Sequence, residues 1–504
     1  MMLPIEHLYQ GLDRNPNGIA AIDADECIDY RELVTRVEAF AQGLLHHLPA
    51  NARVALCAQN HIDHLLAHLA LVAANMIWIP INPKNGAILN AQLLSQSRPE
   101  LILVDTQSLS SLPDTDIRTE LLDHPTQGCR KWIRDYRDQP FLPTIPAFDA
   151  PMGIKFTGGT TGQPKGVVQT HGNVVAVIDN MQAQFQFTGH DRNLAVAPLT
   201  HGGSHYIFPL LSVGGSHHLL PRPDVDAITQ ALATCTVSFM PPTLIYKLLD
   251  QAEHKQPCRL RHLTYSAAPM PPEKINEVIA RFGPCLSTLY GQTEAPMTIT
   301  AMSADDMQQA ALQHSVGRAC KHSELAILDP DGRTLPPNKT GEVAVRGAIV
   351  MPGYLDAPRQ NEEVFKNGWL LTGDLGYVND DGYLFLQGRS KEVIISGGFN
   401  VYPAEVENAL MQMPNIRECA AFGVEDDYWG ERVGAAICLR GDVAIDPDLL
   451  KRELKALLGD VKTPKSIHVL KNLPRNPVGK VVRRDVKALC LANSQRPSEE
   501  NPSQ

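Results

Sequence analysis

The first third of the chain alternates short apolar runs with stretches in which apolar residues recur at helical spacing. Residues 53–58 (RVALCA), 76–81 (MIWIPI) and 101–105 (LILVD) have the length and composition of strands. The segment YRELVTRVEAFAQGLLHHL, which begins at Tyr30, has the periodicity of an amphipathic helix. Strands that alternate with helices predict a sheet crossed over by helices, and hence an α/β fold.

The same pattern returns beyond the middle of the chain. The segments VSFMPPTLIYKLLDQ and HLTYSAAPMPPEKINEVIARFG each predict a strand, a proline-containing loop and a helix. The two strands end in loops at Pro241 and Pro269. Because open α/β sheets bind ligands at the carboxyl ends of their strands, we expect functional residues in these loops.

The character of the sequence changes twice more toward the carboxyl end. Residues 324–387 contain ELAILD, GEVAVRG and GYLFLQG with Asp-Gly turns, which predicts β-hairpins. After Arg389 the pattern is that of a small α+β unit, with a helix that begins at Pro403, two strands (ECAAFGV and GAAICL) and the helix DPDLLKRELKALLG.

Composition and charge exclude several classes of protein. Of 504 residues, 43% are hydrophobic and 20% charged, which is typical of a soluble globular chain. The formal net charge of −10 leaves no overall basic field to hold nucleic acid or an anionic membrane. The longest apolar stretch, residues 65–81, is interrupted by His68, Asn75 and Pro80. It predicts a buried helix that leads into a strand, so we expect no integral membrane segment.

The cysteines and the first residues bear on location. Ten cysteines are scattered along the chain without a C-x-x-C pair, so we expect free thiols and a reducing compartment. The first eighteen residues lack a basic segment followed by an apolar one, as a secretory signal would have. Both observations favour a cytoplasmic protein.

Residues 157–166 (TGGTTGQPKG) follow the apolar segment MGIKF and are the strongest candidate for phosphate binding. Glycine backbone N–H groups and threonine hydroxyls can surround phosphate oxygens, and Lys165 adds a positive charge. Pro164 and Gly166 stand where a Walker A loop needs glycine and a hydroxyl residue, so that motif is excluded. A flexible surface loop is the alternative.

Two further motifs carry carboxylates. Residues 290–294 (YGQTE) follow the apolar CLSTLY and offer an aromatic face, a hydroxyl and a carboxylate, which suits a nucleotide with Mg²⁺. Residues 372–374 (TGD) place Asp374 at an expected strand end, where an acidic side chain can accept the hydroxyls of a ribose. Taken alone, each motif is better interpreted as an ordinary turn.

A fourth motif, residues 474–480 (PRNPVGK), presents Lys480 on a loop that two prolines and a glycine bend. Read by itself, Lys480 is equally a solvated lysine among other basic residues.

In chain order, TGGTTGQPKG, YGQTE, TGD, GRSKEVIISGG and NPVGK resemble the class I adenylate-forming superfamily of acyl-CoA synthetases, aryl-CoA ligases, peptide-synthetase adenylation domains and luciferases. The resemblance extends from about residue 8 to residue 487. It implies a large N-terminal domain of αβαβα sheets plus a β-rich subdomain, followed by a small mobile α+β C-terminal domain. The implied bounds are 1–390 for the large domain, 391–490 for the small one and 491–504 for a disordered tail.

The resemblance also implies an activity. Such an enzyme joins a carboxylic acid to ATP as an acyl-adenylate, releases pyrophosphate, and then transfers the acyl group to coenzyme A with release of AMP. ATP, Mg²⁺ and coenzyme A are the implied cofactors and co-substrates, and a small carboxylic acid is the implied partner. Three alternatives stay open: transfer to a carrier-protein phosphopantetheine, a luciferase-like oxygenase, and an inactive binding protein. A homodimer also stays open.

By resemblance, the catalytic residues are Lys480, Glu294 and Thr293. Lys480 bridges the carboxylate and the α-phosphate, Thr293 contacts the α-phosphate and Glu294 is the Mg²⁺ ligand. Lys391 is the hinge of the small domain. The residues that bind the nucleotide or the pantetheine are Thr157, Gly158, Gly159, Thr160, Thr161, Gly162, Lys165, Ser266, Ala267, Ala268, Pro269, Tyr290, Gly291, Asp374, Arg389, Gly397 and Gly398.

The acyl pocket is expected at positions that are small or apolar: His201, Met240, Pro242, Thr243, Ala267, Ala268 and Gly291. Because this set contains no Arg or Lys, we expect a fatty or aryl monocarboxylate. His61, His64 and His68 share a helical face, but nothing else in the sequence supports a metal site, so we expect groove or surface histidines there and at His217-His218.

Overall fold

The computed structural model describes residues 2–157, 164–222, 224–251, 258–413, 415–426, 429–441, 445–476 and 479–494. Six residues of the predicted phosphate loop, Gly158, Gly159, Thr160, Thr161, Gly162 and Gln163, lie outside this part of the chain.

The helices follow the apolar periodicity and the capping residues of the sequence. Asp29, for example, accepts a hydrogen bond from the N–H of Glu32 and so caps the second helix. The described helices are α1 (Pro4–Arg14), α2 (Tyr30–His47), α3 (Ile62–Ala73), α4 (Ala87–Ser97), α5 (Gly128–Tyr136), α6 (His171–Phe185), α7 (Ile207–Ser212), α8 (Val225–Ala231), α9 (Pro242–Asp250), α10 (Pro272–Phe282), α11 (Ala304–Met307), α12 (Pro358–Val364), α13 (Pro403–Met411), α14 (Pro447–Lys462) and α15 (Arg483–Ser494).

The strands include those predicted from the apolar runs, such as residues 53–57, 77–80 and 101–104. They are β1 (Ile19–Ile22), β2 (Cys27–Asp29), β3 (Arg53–Cys57), β4 (Ile77–Pro80), β5 (Leu101–Val104), β6 (Thr119–Leu121), β7 (Pro151–Thr157), β8 (Lys165–Thr170), β9 (Arg192–Ala195), β10 (Ser216–Leu219), β11 (Val237–Phe239), β12 (His262–Tyr265), β13 (Leu286–Tyr290), β14 (Thr300–Met302), β15 (Arg318–Ala319), β16 (Glu324–Leu328), β17 (Gly341–Arg346), β18 (Gly353–Tyr354), β19 (Phe365–Lys366), β20 (Trp369–Val378), β21 (Leu384–Arg389), β22 (Ile394–Ser396), β23 (Phe399–Val401), β24 (Ile416–Asp426), β25 (Gly430–Leu439) and β26 (Ser466–Val469).

The described strands form four sheets. The strand order is β15-β14-β13-β12-β11-β9-β10-β1-β2 in the largest and β18-β8-β7-β4-β3-β5-β6 in the second. A third sheet has the order β16-β17-β20-β19 with β21 paired to β20, and a fourth has the order β23-β22-β25-β24 with β26 paired to β25. Helices connect the parallel strands of the two large sheets, and the predicted α/β class is confirmed.

The chain divides into two compact units. The first unit contains Met1–Ala326, Ala344–Leu371 and Asp381–Leu384. The second contains Ile327–Val343, Thr372–Asp380 and Phe385–Gln504. The division differs from the expected one at residue 390, because two β-rich segments before that position pack with the carboxyl-terminal residues.

Helix α3 shows why the longest apolar stretch of the sequence is not a membrane span. All of its residues are buried, and it leads through Asn75 into β4 as expected. Its apolar residues join a core with α1, α2 and β3 in the first unit. Among the described residues, no helix combines the length and the hydropathy that a membrane crossing needs.

In the second unit, α13 begins at Pro403 and packs against β24, as the sequence indicates. Val406 and Leu410 on this helix are buried together with Val433 and Ile437 of β25. Helix α15 continues to Ser494, so residues 491–494, which we assigned to a disordered tail, form its last turn.

The expectation of groove or surface histidines is wrong for two members of the first cluster and for His217. His64 and His68 are buried, and His217 is buried on β10. His61 caps the start of α3 and its Nε2 lies 3.0 Å from the Asp105 carboxylate. The burial of three of these rings and the contact of His61 with Asp105 depend on distant parts of the chain. Helical periodicity alone cannot reveal them.

Candidate active site

The expected acyl and adenine positions lie at one edge of the largest sheet. Strands β9, β11, β12 and β13 are neighbours and run parallel, so their carboxyl ends meet at the same edge. The loops that follow these strands carry His201, Met240, Ser266, Ala267, Ala268, Pro269 and Gly291. Tyr290 is the last residue of β13, and Pro242 and Thr243 begin α9.

Local backbone geometry explains two of these residues. A Cβ on Gly291 would lie 2.5 Å from the backbone nitrogen of Met297, so only glycine fits where the chain turns back on itself. Ala267 has a φ of 73°, in the left-handed region that alanine rarely adopts. Strain of this kind is stored at functional sites more often than elsewhere.

The His201 loop packs against the end of β11. A Cβ on Gly202 would lie 2.6 Å from the Phe239 ring, and Tyr206 stacks on that ring with centroids 5.7 Å apart. Burial, and then the nearby charge of Lys155, lower the pKa of His201 to about 4. His201 is therefore neutral at physiological pH.

Lys165 and Glu294 meet at a tyrosine that we did not predict. The Lys165 ammonium lies over the Tyr354 ring, 4.8 Å from its centroid, and the Tyr354 hydroxyl donates to Glu294 Oε1 at 2.8 Å. The N–H of Met351 donates to the Glu294 carbonyl at 2.8 Å. Tyr354 thus contacts both a cation from the phosphate loop and a carboxylate from the YGQTE loop.

A second contact joins the same two loops. Thr157 pairs with Lys165 across the β7–β8 hairpin, and Gln169 on β8 donates from Nε2 to the carbonyl of Thr293 at 2.9 Å. This contact fixes the hydroxyl-bearing Thr293 beside the strands that enclose residues 158–163. Thr157, Thr293 and Glu294 are each half-buried and can be reached by a ligand.

The Glu294 carboxylate fits a Mg²⁺ that reaches the site with a nucleotide. Mg²⁺ takes oxygen ligands from one or two carboxylates, from phosphates and from water. Within the described ranges, no three His, Cys, Asp or Glu side chains are grouped closely enough to hold a metal ion by themselves. The half-buried carboxylate of Glu294 agrees with a Mg²⁺ that takes most of its ligands from phosphates and water.

In the second unit, Asp374 does not lie at a strand end as we expected. It lies within β20, on the buried face that also carries Thr372. Gly373 has a φ of 70° and locally interrupts the regular strand, which the motif TGD alone does not reveal. The Asp374 Oδ1 accepts from Arg389 Nε at 2.7 Å, so the expected ribose-binding pair is formed.

Lys480 lies at an exposed position on a tight loop in the same unit. Its N–H donates to the Asn476 side chain at 2.9 Å, and Gly479 has a φ of 86°. Displacement of water by neighbouring atoms lowers the pKa of Lys480, Arg389 lowers it further, and the Asp374 charge opposes the change. Lys480 and the expected ribose-binding residues therefore share one electrostatic environment.

Gly397 and Gly398 form the turn of a hairpin between β22 and β23. Their φ values of 57° and 80° are those of a two-residue turn that needs glycine. A Cβ on Gly397 would lie 2.7 Å from the Trp429 ring, whereas one on Gly398 meets nothing within 4 Å. Lys391 is exposed on a short 3-10 helix, Ser390–Glu392, before this hairpin.

Comparison with known proteins places these features in a family. The sequence matches the family described as AMP-binding enzyme over residues 8–355, and the AMP-binding enzyme C-terminal domain over residues 405–480. The chain belongs to the AMP-binding enzyme family. The predicted membership of the adenylate-forming superfamily is confirmed.

Three relatives of this AMP-binding enzyme illustrate the range of acids. The chain is 32% identical over 415 residues to a medium/long-chain-fatty-acid–CoA ligase, FadD8, of Mycobacterium tuberculosis, covering 80% of this chain and 72% of that protein. It is 36% identical over 361 residues to a sulfoacetate–CoA ligase of Cupriavidus necator, covering 68% of each. The structure of the o-succinylbenzoate CoA synthetase of Bacillus subtilis with its acyl-adenylate has a TM-score of 0.84 at 28% identity, covering 95% and 97% of the two chains.

These relatives confirm the predicted enzyme class, an AMP-forming acid–CoA ligase, and leave the acid itself undetermined. Sequence reasoning about this AMP-binding enzyme missed Tyr354 and Lys155. Lys155 lies on β7 and is buried, although the surrounding segment MGIKF is otherwise apolar. A lysine inside an apolar strand was the one available signal, whereas Tyr354 had none beyond its place in the segment MPGYL.

Proposed function

We propose that this chain uses ATP to convert a small organic acid into an acyl-adenylate and then transfers the acyl group to coenzyme A. The observation that carries the proposal is the meeting of Lys165 and Glu294 at Tyr354. Tyr354 contacts both a cation suited to phosphate and a carboxylate suited to Mg²⁺, the two kinds of group that ATP chemistry uses.

Thr157 and Lys165 would bind the β- and γ-phosphates, together with Thr160 and Thr161. Glu294 would hold Mg²⁺, which when bound neutralises negative charge on the phosphates. Asp374, oriented by Arg389, would accept the ribose hydroxyls. The adenine would lie between Tyr290 and the loop of residues 266–269, whose small side chains leave room for a flat base.

In the first half-reaction a carboxylate oxygen of the acid attacks the α-phosphorus. The bond from the α-phosphorus to the bridging oxygen breaks, and pyrophosphate leaves with the electron pair. Negative charge grows on the phosphoryl oxygens as this happens, and Lys480 would offset it while Thr293 donates a hydrogen bond. The protein supplies mainly position and charge.

In the second half-reaction the thiolate of coenzyme A attacks the acyl carbon, the carbon–oxygen bond to AMP breaks, and AMP leaves. Gly397 and Gly398 would line the path of the thin pantetheine chain, because residues without side chains let it approach the backbone. Lys391 would be the hinge about which the small domain, residues 391–490, turns between the two steps.

The named acids of the relatives differ in charge and size, so the acid must be inferred from this chain. The expectation of a fatty or aryl monocarboxylate rested on pocket positions without Arg or Lys. Lys155 was not among those positions. A cytoplasmic location and a homodimer stay predictions.

The proposal is tested by acid-dependent exchange of labelled pyrophosphate into ATP over a panel of acids, followed by detection of the thioester. We expect exchange with at least one acid, and thioester formation with coenzyme A but not with a phosphopantetheinylated carrier protein. Lys480→Ala is expected to lose exchange, whereas Lys471→Ala, at an exposed lysine of the same unit, is expected to keep it.

Each alternative gives a different result. Thioester on the carrier protein alone would identify a carrier-loading ligase, and light emission with luciferin and oxygen would identify an oxygenase. Absence of exchange with every acid would contradict the proposal.

A further inference from the structure

The loop that carries Lys480 is closed at its base. The N–H of Val482 donates to the Pro474 carbonyl at 3.0 Å, and the N–H of Asn476 donates to the Lys480 carbonyl at 2.9 Å. Leu473, just before the loop, is buried in an apolar cluster with residues of β24 and α15. The loop is therefore a short, closed turn that stands on a packed base.

Two arginines flank this loop, one on each side. Arg475 pairs with Glu418 on β24, and its Nη1 donates to the Gly479 carbonyl at 2.8 Å. Arg483 is the first residue of α15. Because Lys480 lies between the two arginines in the chain, their contacts determine the position from which its side chain extends.

Arg483 contacts two carboxylates from different segments. Its Nη2 donates to Glu407 Oε1 at 2.8 Å and to Glu407 Oε2 at 2.7 Å, and its Nη1 donates to Glu392 Oε2 at 2.7 Å. Glu407 lies on α13, and Glu392 ends the short 3-10 helix that contains Lys391. A planar guanidinium can bind both carboxylates at once, whereas a lysine ammonium lacks this forked geometry. One side chain thus joins three segments of the second unit.

The contact with Glu407 is anchored to the sheet of this unit. Glu407 Oε1 also accepts from the N–H of Ala421 on β24 at 2.9 Å. Burial raises the pKa of the Glu407 carboxyl, and the Arg483 charge and the Ala421 N–H oppose that change. Because a buried carboxylate is stable only with such donors, Glu407 and Arg483 hold each other in place.

The contact with Glu392 reaches the proposed hinge. Glu392 follows Lys391, about which the small domain would turn. Burial comes first among the causes that change the pKa of Lys480 and lowers it, whereas the Glu392 charge raises it and the Arg483 charge lowers it. Both members of the pair therefore lie near enough to Lys480 to influence its charge.

We infer that Arg483 is a positioning residue for the adenylation step: by binding Glu392 and Glu407 together, it fixes the base of the Lys480 loop to the hinge segment. Its N–H groups are directed at the two carboxylates, so it acts through Lys480 and not on the substrate. The kinetic part of this inference rests on the proposed function, whereas the anchoring of the loop does not.

Arg483→Lys keeps the charge and removes the fork, so one ammonium replaces two sets of contacts. We expect the rate of acyl-adenylate formation at saturating ATP to fall about 10-fold, the scale of one lost charge-assisted hydrogen bond. KM for ATP should stay unchanged, because the pair of Asp374 with Arg389 is untouched. Thiolysis of supplied acyl-adenylate should also stay unchanged, because Lys480 is proposed to act only in adenylation. Rapid-quench measurement of each half-reaction checks these values.

The Lys480→Ala background separates positioning from a general structural role. Without the Lys480 ammonium there is nothing left to position, so Arg483→Lys should lower the residual adenylation rate less than about twofold. A residue that merely stabilises the fold would give the same fall in both backgrounds. Equal falls would therefore overturn the inference, as would an unchanged adenylation rate when Arg483→Lys is the only substitution.

Glu405→Gln is the matched control. Glu405 lies on the same helix as Glu407 and pairs with Lys462, so this change removes an ion pair of the same kind from the same unit. We expect both half-reactions to keep their wild-type rates. Tm values detect a loss of folding. Glu392→Gln leaves the pair of Arg483 with Glu407 in place and carries the same test should Arg483→Lys not fold, with an expected fall in adenylation of about threefold.

Hydrogen–deuterium exchange of backbone amides tests the anchoring without any substrate. The Val482 amide should lose its deuterium about 10-fold faster in Arg483→Lys than in wild type, and at the wild-type rate in Glu405→Gln. If no acid supports pyrophosphate exchange but this difference is seen, the proposed function fails and the anchoring of the loop stands. If Val482 is equally protected in all three proteins, the anchoring is wrong.

Discussion

Lys155 in the first unit and Lys480 in the second have opposite surroundings. Lys155 is buried among neutral rings and has no acidic partner in the described structure, and burial alone lowers its pKa. Lys480 lies at an exposed position on a loop; displacement of water by neighbouring atoms is the largest cause that lowers its pKa, Arg389 lowers it further, and the Asp374 charge opposes the change. A buried, desolvated ammonium without an acidic partner destabilises the fold, whereas an accessible one among mixed charges suits a transient role in a reaction step.

The largest expected effect is at Lys480. We expect Lys480→Ala to lower the rate of acyl-adenylate formation by about 10²–10³, the scale of one oriented transition-state donor. Thiolysis of supplied acyl-adenylate by coenzyme A should survive. Rapid-quench measurement of each half-reaction checks this, with Lys471→Ala as the control. Equal loss in both half-reactions would place Lys480 outside the adenylation step.

The second effect concerns Lys155 and should be seen in the free energy of unfolding. Its folded pKa of about 7 lies below the ordinary value of 10.5. Between pH 7 and pH 10.5 the unfolded chain therefore binds more protons than the folded chain. The free-energy cost of burying the Lys155 charge is full below pH 7 and falls as the pH rises toward 10.5. Lys155→Met should be more stable by on the order of 3 kcal/mol at about pH 6, and by less at about pH 9.

Urea unfolding at both pH values measures this difference, with Lys84→Met, at an exposed lysine of the same unit, as a reference. A stability difference that does not change with pH would show that Lys155 keeps its ordinary pKa, and the contrast with Lys480 would then disappear.

Substitution of Asp374 tests whether the charges of Asp374, Arg389 and Lys480 influence one another. Asp374→Asn keeps the shape of the side chain but removes its charge and weakens the pair with Arg389. We expect KM for ATP to rise about 10- to 50-fold. The pKa of Lys480 should fall further, because the Asp374 charge raises it. The alkaline fall in adenylation rate should then begin at lower pH, and an unchanged pH profile would separate the two residues.

The smallest effect is expected at Tyr354, beside a third lysine. Lys165 lies over the Tyr354 ring, and its exposure is intermediate between that of buried Lys155 and that of exposed Lys480. Tyr354→Phe keeps the ring beneath Lys165 and removes only the hydrogen bond to Glu294 Oε1. We expect about a fivefold rise in the Mg²⁺ concentration for half-maximal exchange, as loss of one hydrogen bond predicts. Tyr354→Leu, which also removes the ring, should affect the KM for ATP in addition.

Several parts of this molecule could be predicted from local sequence. The apolar run at Arg53–Cys57 specifies a strand, and Pro403 marks the start of a helix, because each depends on neighbouring residues alone. The motif loops were placed at the carboxyl ends of strands by the same reasoning. The expected roles of their side chains stay predictions.

Other parts depend on distant contacts that a single sequence does not show. The environment of Lys155 is built by Trp78 and His205, which lie far from it in the chain, so the apolar segment around Lys155 does not reveal a buried ammonium among neutral rings. Asp374 was misplaced because the unusual backbone at Gly373 interrupts β20 without ending it. Tyr354 was missed because its partners come from two other loops.

Strand β7 has a practical consequence for engineering. Its backbone pairs with β8 in a register that places Lys155 opposite Val167 and Thr157 opposite Lys165. The ladder hydrogen bonds come from the main chain, so exchanging one side chain at position 155 leaves the hairpin geometry unaltered. A library confined to that single codon would therefore vary the side chain buried beside Trp78 while the main-chain register of Thr157, two positions away, is inherited intact.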